Sequence, residues 1–108
     1  MPVAPLLPSM ITTVTRLIAA AELLCVAEEL VTGLVRAKRV SPESAERLLG
    51  DIPQLRDDVR RQTELIGEAA EKLMDRVEVV VQFLLRYRSD LSPEDVAKLD
   101  RLRDAVRG

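Results

Sequence analysis

The stretch from Pro53 to Arg88 constrains the fold most, because it contains no proline after Pro53 and a single glycine, Gly67. At ~1.5 Å per residue, an uninterrupted helix of this length would be roughly 54 Å long. Its apolar residues recur at alternating spacings of four and three, which is typical of a packed helical seam: Ile66, Ala70, Leu73, Val77, Val80, Leu84 and Tyr87. The pattern predicts one long helix over residues 53–88.

The last part of this predicted helix is apolar on almost every side, because further large side chains lie outside the seam: Val79, Val81, Phe83 and Leu85. A helix that is apolar all round must be covered all round. Covering by a second copy of the chain would meet this need. We therefore predict a homodimer interface formed by Val77, Val80, Val81, Phe83, Leu84 and Tyr87.

Three further helices are predicted, over residues 10–38, 42–49 and 93–107. Residues 1–8 carry three prolines and are expected to form an extended or disordered lead-in, after which Ser9 can cap the first helix. Two adjacent apolar seams on the first helix imply contact with at least two neighbours. Opposite them, a narrow solvated stripe is predicted at intervals of seven: Thr15, Glu22, Glu29 and Arg36.

The same helix-start motif occurs twice, as Ser41-Pro42-Glu43 and as Ser92-Pro93-Glu94. Each copy follows a basic helix end. Serine as N-cap, proline at the first helical position and an acid in the first turn form a strong helix start. Gly50 is predicted to end the short helix that begins at Pro42. The repetition fits a duplicated helical hairpin, and it also fits good capping chemistry that arose separately in unrelated helices.

The predicted fold is a single all-α domain over residues 9–108, with two long antiparallel helices and two short ones in a four-helix-bundle-like arrangement. Two short helices cannot cover both seams of the first helix and the apolar end of the third. Dimerisation would complete the bundle.

Composition argues against enzymatic chemistry. The chain has no histidine, which removes the commonest general base and the commonest metal ligand. Its glycines are isolated, so no Gly-rich phosphate loop is present. We predict no catalytic residues, no cofactor and no metal site.

Two single residues on the first predicted helix leave questions open. Cys25 lies in an apolar run and is expected to be buried and inert, not reactive. Glu28 occupies an otherwise apolar seam. It either forms a register-fixing pair with an arginine across the bundle, or lies at the edge of a seam that drifts.

The densest basic patch on the predicted helices comprises Arg47, Arg56, Arg60 and Arg61. Asp57 and Asp58 lie among these arginines, so the patch is expected to be a solvated face. A short helix, a glycine turn and a second helix also form a loose helix-turn-helix outline over residues 42–61. This outline is the alternative hypothesis of a nucleic-acid-binding regulator.

The apolar run from Leu17 to Ala27 is too short and too acidic to span a bilayer, and the net charge of −2 does not favour nucleic acid or anionic membranes. A cytoplasmic location is therefore expected. By elimination, we predict a small interaction protein, such as an adaptor, structural subunit or regulatory partner, that binds itself and an unidentified protein. A bundle that binds an apolar ligand is a second alternative.

Overall fold

A computed structural model of the protein describes residues 8–64 and 69–108, with side chains described over 13–61 and 70–108. This part of the chain is helical, without strands: α1 (Pro8–Arg36), α2 (Pro42–Glu64), α3 (Ala69–Leu85) and α4 (Pro93–Arg107). A single 3-10 turn, Arg88–Asp90, lies between α3 and α4. The all-α prediction is confirmed. Most of the predicted lead-in, residues 1–7, lies outside the described residues.

Helix α1 is the element against which the others pack, since it contacts α2, α3 and α4. Burial extends far around it, and four nearly consecutive positions, Leu23, Leu24, Val26 and Ala27, are all buried. The exposed residues form one narrow stripe. The predicted members of that stripe, Thr15, Glu22, Glu29 and Arg36, are all exposed, which confirms this prediction.

The end of α1 is a tight C-terminal motif instead of a simple continuation to residue 38. The Arg39 N–H donates to the carbonyl of Leu34 at 2.9 Å, and the Lys38 N–H donates to that of Val35 at 3.0 Å. These are the two bonds of a Schellman motif. Lys38 supplies the left-handed residue that the motif needs, with φ of 59°.

Helix α2 corrects the prediction of a short helix over 42–49 followed by a new one from Pro53. It runs unbroken from Pro42 to Glu64, with Pro53 inside it. The reason is an apolar seam that crosses both expected breakers and packs on α1. Its residues are buried or half-buried: Ala45, Leu48, Ile52, Leu55 and Val59. Tertiary packing outweighs the local preference of glycine and proline.

The predicted helix over 53–88 is therefore divided between the second half of α2 and all of α3, while residues 65–68 lie outside the described part. Helix α3 ends at Leu85 and not at Arg88. The N–H groups of Arg86 and Tyr87 donate to the carbonyls of Phe83 and Leu84, three residues back, which tightens the last turn.

Of the three predicted serine caps, those at Ser41 and Ser92 are confirmed. The cap at Ser9 is wrong, because α1 begins at Pro8 and Ser9 lies inside it. The Ser92 hydroxyl accepts from the Asp95 N–H at 3.1 Å, and the Ser41 hydroxyl accepts from the Ser44 N–H at 3.3 Å. Val40 and Ala45, on either side of the Ser41 cap, are both buried, as a hydrophobic staple requires.

The contacts of Arg16 show how three helices run relative to one another. Near the start of α1, its Nε donates to the carbonyl of Val106 at 2.6 Å, and its Nη1 lies 2.9 Å from Glu71 Oε1. The end of α4 and the start of α3 therefore lie beside the start of α1. The molecule is elongated, with a radius of gyration of 15.3 Å and extents of 61 × 26 × 16 Å.

Candidate functional site

The predicted interface residues divide into two groups in the structure. Four of them lie in the core that α3 forms with its neighbours: Val77, Val80, Val81 and Leu84. The other two, Phe83 and Tyr87, are half-buried. The apolar excess that predicted the interface is largely covered by the chain itself, because α2 extends to Glu64 and supplies more cover than an eight-residue helix could.

The outer side of α3 nevertheless keeps an apolar surface. Val79 points away from the core and is 65% exposed. Phe83, one turn later, is half-buried, as is Leu48 of α2. These three side chains line one open cleft of about 380 Å³. We call them the α3 patch: Leu48, Val79 and Phe83.

The aromatic pair extends the α3 patch towards the end of the helix. The ring centroids of Phe83 and Tyr87 are 5.3 Å apart, with the rings tilted by 46°. Such tilted contacts are favourable between aromatic rings. Tyr87 therefore contacts the Phe83 ring on one side, while another side of the Phe83 ring remains accessible to solvent.

Polar side chains surround the α3 patch in a definite order of charge. The cleft is also lined by Asp75, Glu78, Gln82 and Arg86. Asp75 lies before Val79 and Arg86 lies after Phe83, so the acidic end and the basic end are separated by the apolar middle. Neither Asp75 nor Arg86 forms an ion pair with any residue that the structure describes, and both are exposed.

Glu78, in contrast, is committed to α4. It accepts from Nε of Arg103 at 3.1 Å and from Nη2 of the same residue at 2.5 Å, and Nη2 of Arg107 lies 3.3 Å away. The hydrogen bonds from Arg103 hold the pKa of the Glu78 carboxyl below its ordinary value, and they raise the pKa of Arg103. This cluster joins α3 to α4 beside the α3 patch and keeps that wall of the cleft in place.

The four arginines of the predicted basic patch do not form one strip. On a helix with 100° per residue, Arg47 and Arg56 of α2 are separated by about 180° around the axis. Arg56 is turned towards α1, where its Nη1 lies 3.7 Å from Glu28 Oε2, while Arg47 and Arg61 are exposed. Because α2 is continuous, the helix-turn-helix outline over 42–61 is wrong.

The expectation of a buried Cys25 is also wrong, because Cys25 is exposed. It lies on the solvated stripe of α1, three residues after Glu22 and four before Glu29. Arg56 Nη1 is 3.8 Å from its sulfur. Arg56 thus contacts both Cys25 and Glu28. Glu28 is half-exposed, as expected for the edge of a drifting seam, and it also has an arginine partner on another helix, as the pairing hypothesis predicted.

No group of three or more histidine, cysteine, aspartate or glutamate side chains within 13–61 and 70–108 is arranged to hold a metal ion. None of the helices in the described ranges is long and apolar enough to cross a membrane. The clefts on these residues, of about 160 to 380 Å³, open to solvent.

Comparison of the chain with protein-family models, with curated proteins and with solved structures finds no match. The geometry of its own residues therefore carries the functional argument.

The predicted interface follows the seam of α3, most of which is buried in the chain's own core, and it does not include Val79, Asp75 and Arg86 on the exposed side. The signal was present, since Val79 stands outside the seam and is flanked by charged residues at Glu78 and Asp75. A pattern that predicts residues 42–49 as a separate helix does not place Leu48 on this surface.

Proposed function

We propose that this protein is a non-enzymatic helical protein that acts through protein–protein contacts, including contact with a second copy of itself, and that the α3 patch is the contact surface. The observation that carries the proposal is the exposure of Val79 between Phe83 and Leu48 in a cleft. Clustered apolar side chains with a polar rim are the usual anatomy of a protein-interaction site.

We propose a non-enzymatic protein because of its composition and because several of its carboxylates form ion pairs between structural elements. Without histidine, a general acid or base would have to be a carboxylate, lysine, tyrosine or cysteine. Several carboxylates at helix contacts are engaged by arginine: Glu28, Asp58, Glu71, Glu78 and Asp100. These pairs favour a structural use of charge. The single cysteine favours a reducing compartment, and we propose a cytoplasmic location.

The assembly we propose is a pair of four-helix chains, each folded on its own and held together by a weak contact. An apolar side chain contributes about 1.5–3 kcal/mol when it is fully buried, and Leu48 and Phe83 are already half-buried. The α3 patch and its polar rim on both chains must together offset the ~4–15 kcal/mol that association costs, so the surplus is small. We therefore expect a weak dimer in exchange with a folded monomer, and not the obligate dimer that a fully uncovered α3 would need.

The test compares two charge insertions at exposed β-branched residues. Val79→Asp places a carboxylate in the α3 patch, while Ile18→Asp does the same at an equally open position on α1, where Ile18 is 57% exposed. Both variants should fold with little change in thermal stability. In sedimentation velocity over a concentration series, the wild type and Ile18→Asp should show the same shift towards dimer.

Val79→Asp should remain monomeric over that series, because an unpaired carboxylate in an apolar contact is costly to bury. A wild type that stays monomeric at all concentrations would overturn self-association. Equal loss of association in Ile18→Asp and Val79→Asp would overturn the assignment of the α3 patch.

A further inference from the structure

The outermost line of α3 consists of Asp75, Val79, Gln82 and Arg86, spaced by four, three and four residues. This spacing places them in one row along a helix. All four are exposed, and they lie opposite the buried row that includes Val77 and Leu84. Arg86 follows the last residue of α3 directly, and its N–H still bonds to the carbonyl of Phe83.

Along this row the side chains are, in order, an acid, an apolar residue, an amide and a base. The midpoint of the row lies between Val79 and Gln82. At ~1.5 Å per residue, Asp75 and Arg86 lie about 8 Å from that midpoint in opposite directions. The row is therefore complementary to a reversed copy of itself. A copy in the same direction would instead bring Asp75 to Asp75 and Arg86 to Arg86.

We propose that the second chain docks on this row in the antiparallel sense. The two-fold axis lies between the two copies of α3, perpendicular to both helices and level with the midpoint of Val79 and Gln82, so that Asp75 of each chain meets the partner's Arg86. This inference rests on the proposed function, because it specifies the geometry of the same contact. Closed two-fold interfaces use the same patch on both chains, and this row satisfies that condition.

The rest of the α3 patch fits this arrangement. A two-fold axis perpendicular to the helix keeps each side of α3 facing the same side of its copy. In this register, Val79 of each chain lies beside Gln82 and Phe83 of the other, with Leu48 of both chains on one side of the contact. Glu78 lies on the opposite side, where Arg103 and Arg107 already neutralise it.

The same charge order weighs against a partner of single sign. A strongly basic segment would be attracted by Asp75 and repelled by Arg86. An acidic segment would be attracted by Arg86 and repelled by Asp75. Only a surface that alternates in the same way satisfies both ends, and a second copy supplies it. Asp75 and Arg86 thus act as specificity-determining residues, since like charges opposed at a contact reject the wrong orientation.

The experiment exchanges these charges in the full chain and measures dimerisation by sedimentation equilibrium at low and high salt. In the antiparallel dimer, Asp75→Arg alone and Arg86→Asp alone each convert two attractive contacts into two repulsive ones. Each single variant should weaken dimerisation by about ten-fold, on the scale of two exposed ion pairs. The double exchange, Asp75→Arg with Arg86→Asp, should restore the wild-type affinity.

Mixing the two single variants provides an independent check, because each carries the charges that the other needs. The mixture should form a heterodimer more readily than either variant forms a homodimer, and high salt should reduce the differences. All four charges are on exposed side chains, so circular dichroism should show unchanged folding.

Two contrary results are distinguishable. If the wild type dimerises and both single variants dimerise equally well, the antiparallel contact is overturned while the proposed function stands. If the wild type does not dimerise at any concentration tested, self-association fails and this inference fails with it.

Discussion

The molecule contains two helical hairpins that look alike in sequence and differ in structure. The first hairpin is α1, the turn at 37–41 and α2, and the second is α3, residues 86–92 and α4. In each hairpin, a basic helix end is followed by Ser-Pro-Glu, and the serine caps the second helix. The caps are equivalent, yet what surrounds them is not.

The hairpins differ in packing, in charge and in how the first helix ends. Burial extends far around α1 and leaves one narrow stripe exposed, while α3 is exposed over a wider side that includes Val79. The two helices of the first hairpin are joined by a long ion pair of 3.7 Å between Arg56 and Glu28, and those of the second by the closer Glu78–Arg103 pair. The first helix ends through a left-handed Lys38 and the other through a 3-10 turn. Shared capping chemistry fixes where a helix begins, and tertiary contacts decide the rest.

The packing difference gives the largest expected effect. Leu24→Ala, at a fully buried position on α1, should lower the free energy of unfolding by about 3 kcal/mol, because it removes buried methyl groups and leaves a cavity. Leu85→Ala, at a half-buried position at the end of α3, should cost about 1 kcal/mol. Urea denaturation of both variants measures the two losses. Equal losses would contradict the lower burial of Leu85 at the end of α3 relative to Leu24 on α1.

The charge difference predicts a pH-dependent effect at Glu78 in the second hairpin. Hydrogen bonds from Arg103 lower the pKa of Glu78 in the folded chain below its ordinary value of 4.5. The stabilisation is therefore fully present above the unfolded pKa and is lost as the pH falls through the lower folded value. Glu78→Gln should cost about 1 kcal/mol at pH 7, since the pair is close and partly shielded.

The gap in the free energy of unfolding between wild type and Glu78→Gln should close as the pH falls below 4.5, which urea denaturation at several pH values would show. The matched control is Glu28→Gln in the first hairpin, where the ion pair is 3.7 Å long. This control should change the free energy of unfolding by less than about 0.5 kcal/mol at neutral pH. A gap at Glu78 that stays constant with pH would contradict the predicted role of its carboxylate.

Local patterns predicted much of the fold, and their failures have a common cause. The caps at Ser41 and Ser92, the solvated stripe on α1 and the all-helical class follow from neighbouring residues, so the sequence shows them directly. The break at Gly50 and Pro53 was wrong because a seam from Ala45 to Val59 continues across it and packs on α1. Propensity at two positions cannot compete with an entire buried face.

The candidate site was less predictable for a related reason. Periodicity shows which residues share a side of a helix, but the partner that covers that side comes from elsewhere in the chain. With α2 taken as short, the seam of α3 lacked cover and was assigned to an interface. With α2 complete, the seam is core and the outer row at Val79 is what remains exposed. Cys25 was misplaced similarly, although its spacing from Glu22 and Glu29 put it on the solvated stripe.

The difference between the helix ends gives the smallest expected effect and the most local one. Lys38 holds a φ of 59°, which brings the Cβ of an L-residue close to its own backbone and costs roughly 1–2 kcal/mol. Glycine avoids this strain but gains more freedom in the unfolded chain, which offsets part of the benefit. Lys38→Gly should therefore raise the free energy of unfolding by about 0.5–1 kcal/mol.

Two controls isolate the cause of that gain. Lys38→Ala removes the same charge and keeps the strain, so it should not stabilise the protein. Ser89→Gly introduces glycine into the 3-10 turn of the second hairpin, where the backbone has no positive φ to relieve, and should be neutral or slightly destabilising. If the slope of unfolding free energy against urea is unchanged, the urea midpoint should be higher for Lys38→Gly than for the wild type. Both controls should have midpoints equal to or lower than that of the wild type. If Ser89→Gly stabilised the chain as much as Lys38→Gly does, the left-handed residue would not be what separates the two hairpins. The gain is confined to the first hairpin because only there does the chain leave its helix through a Schellman motif without the glycine that the motif favours.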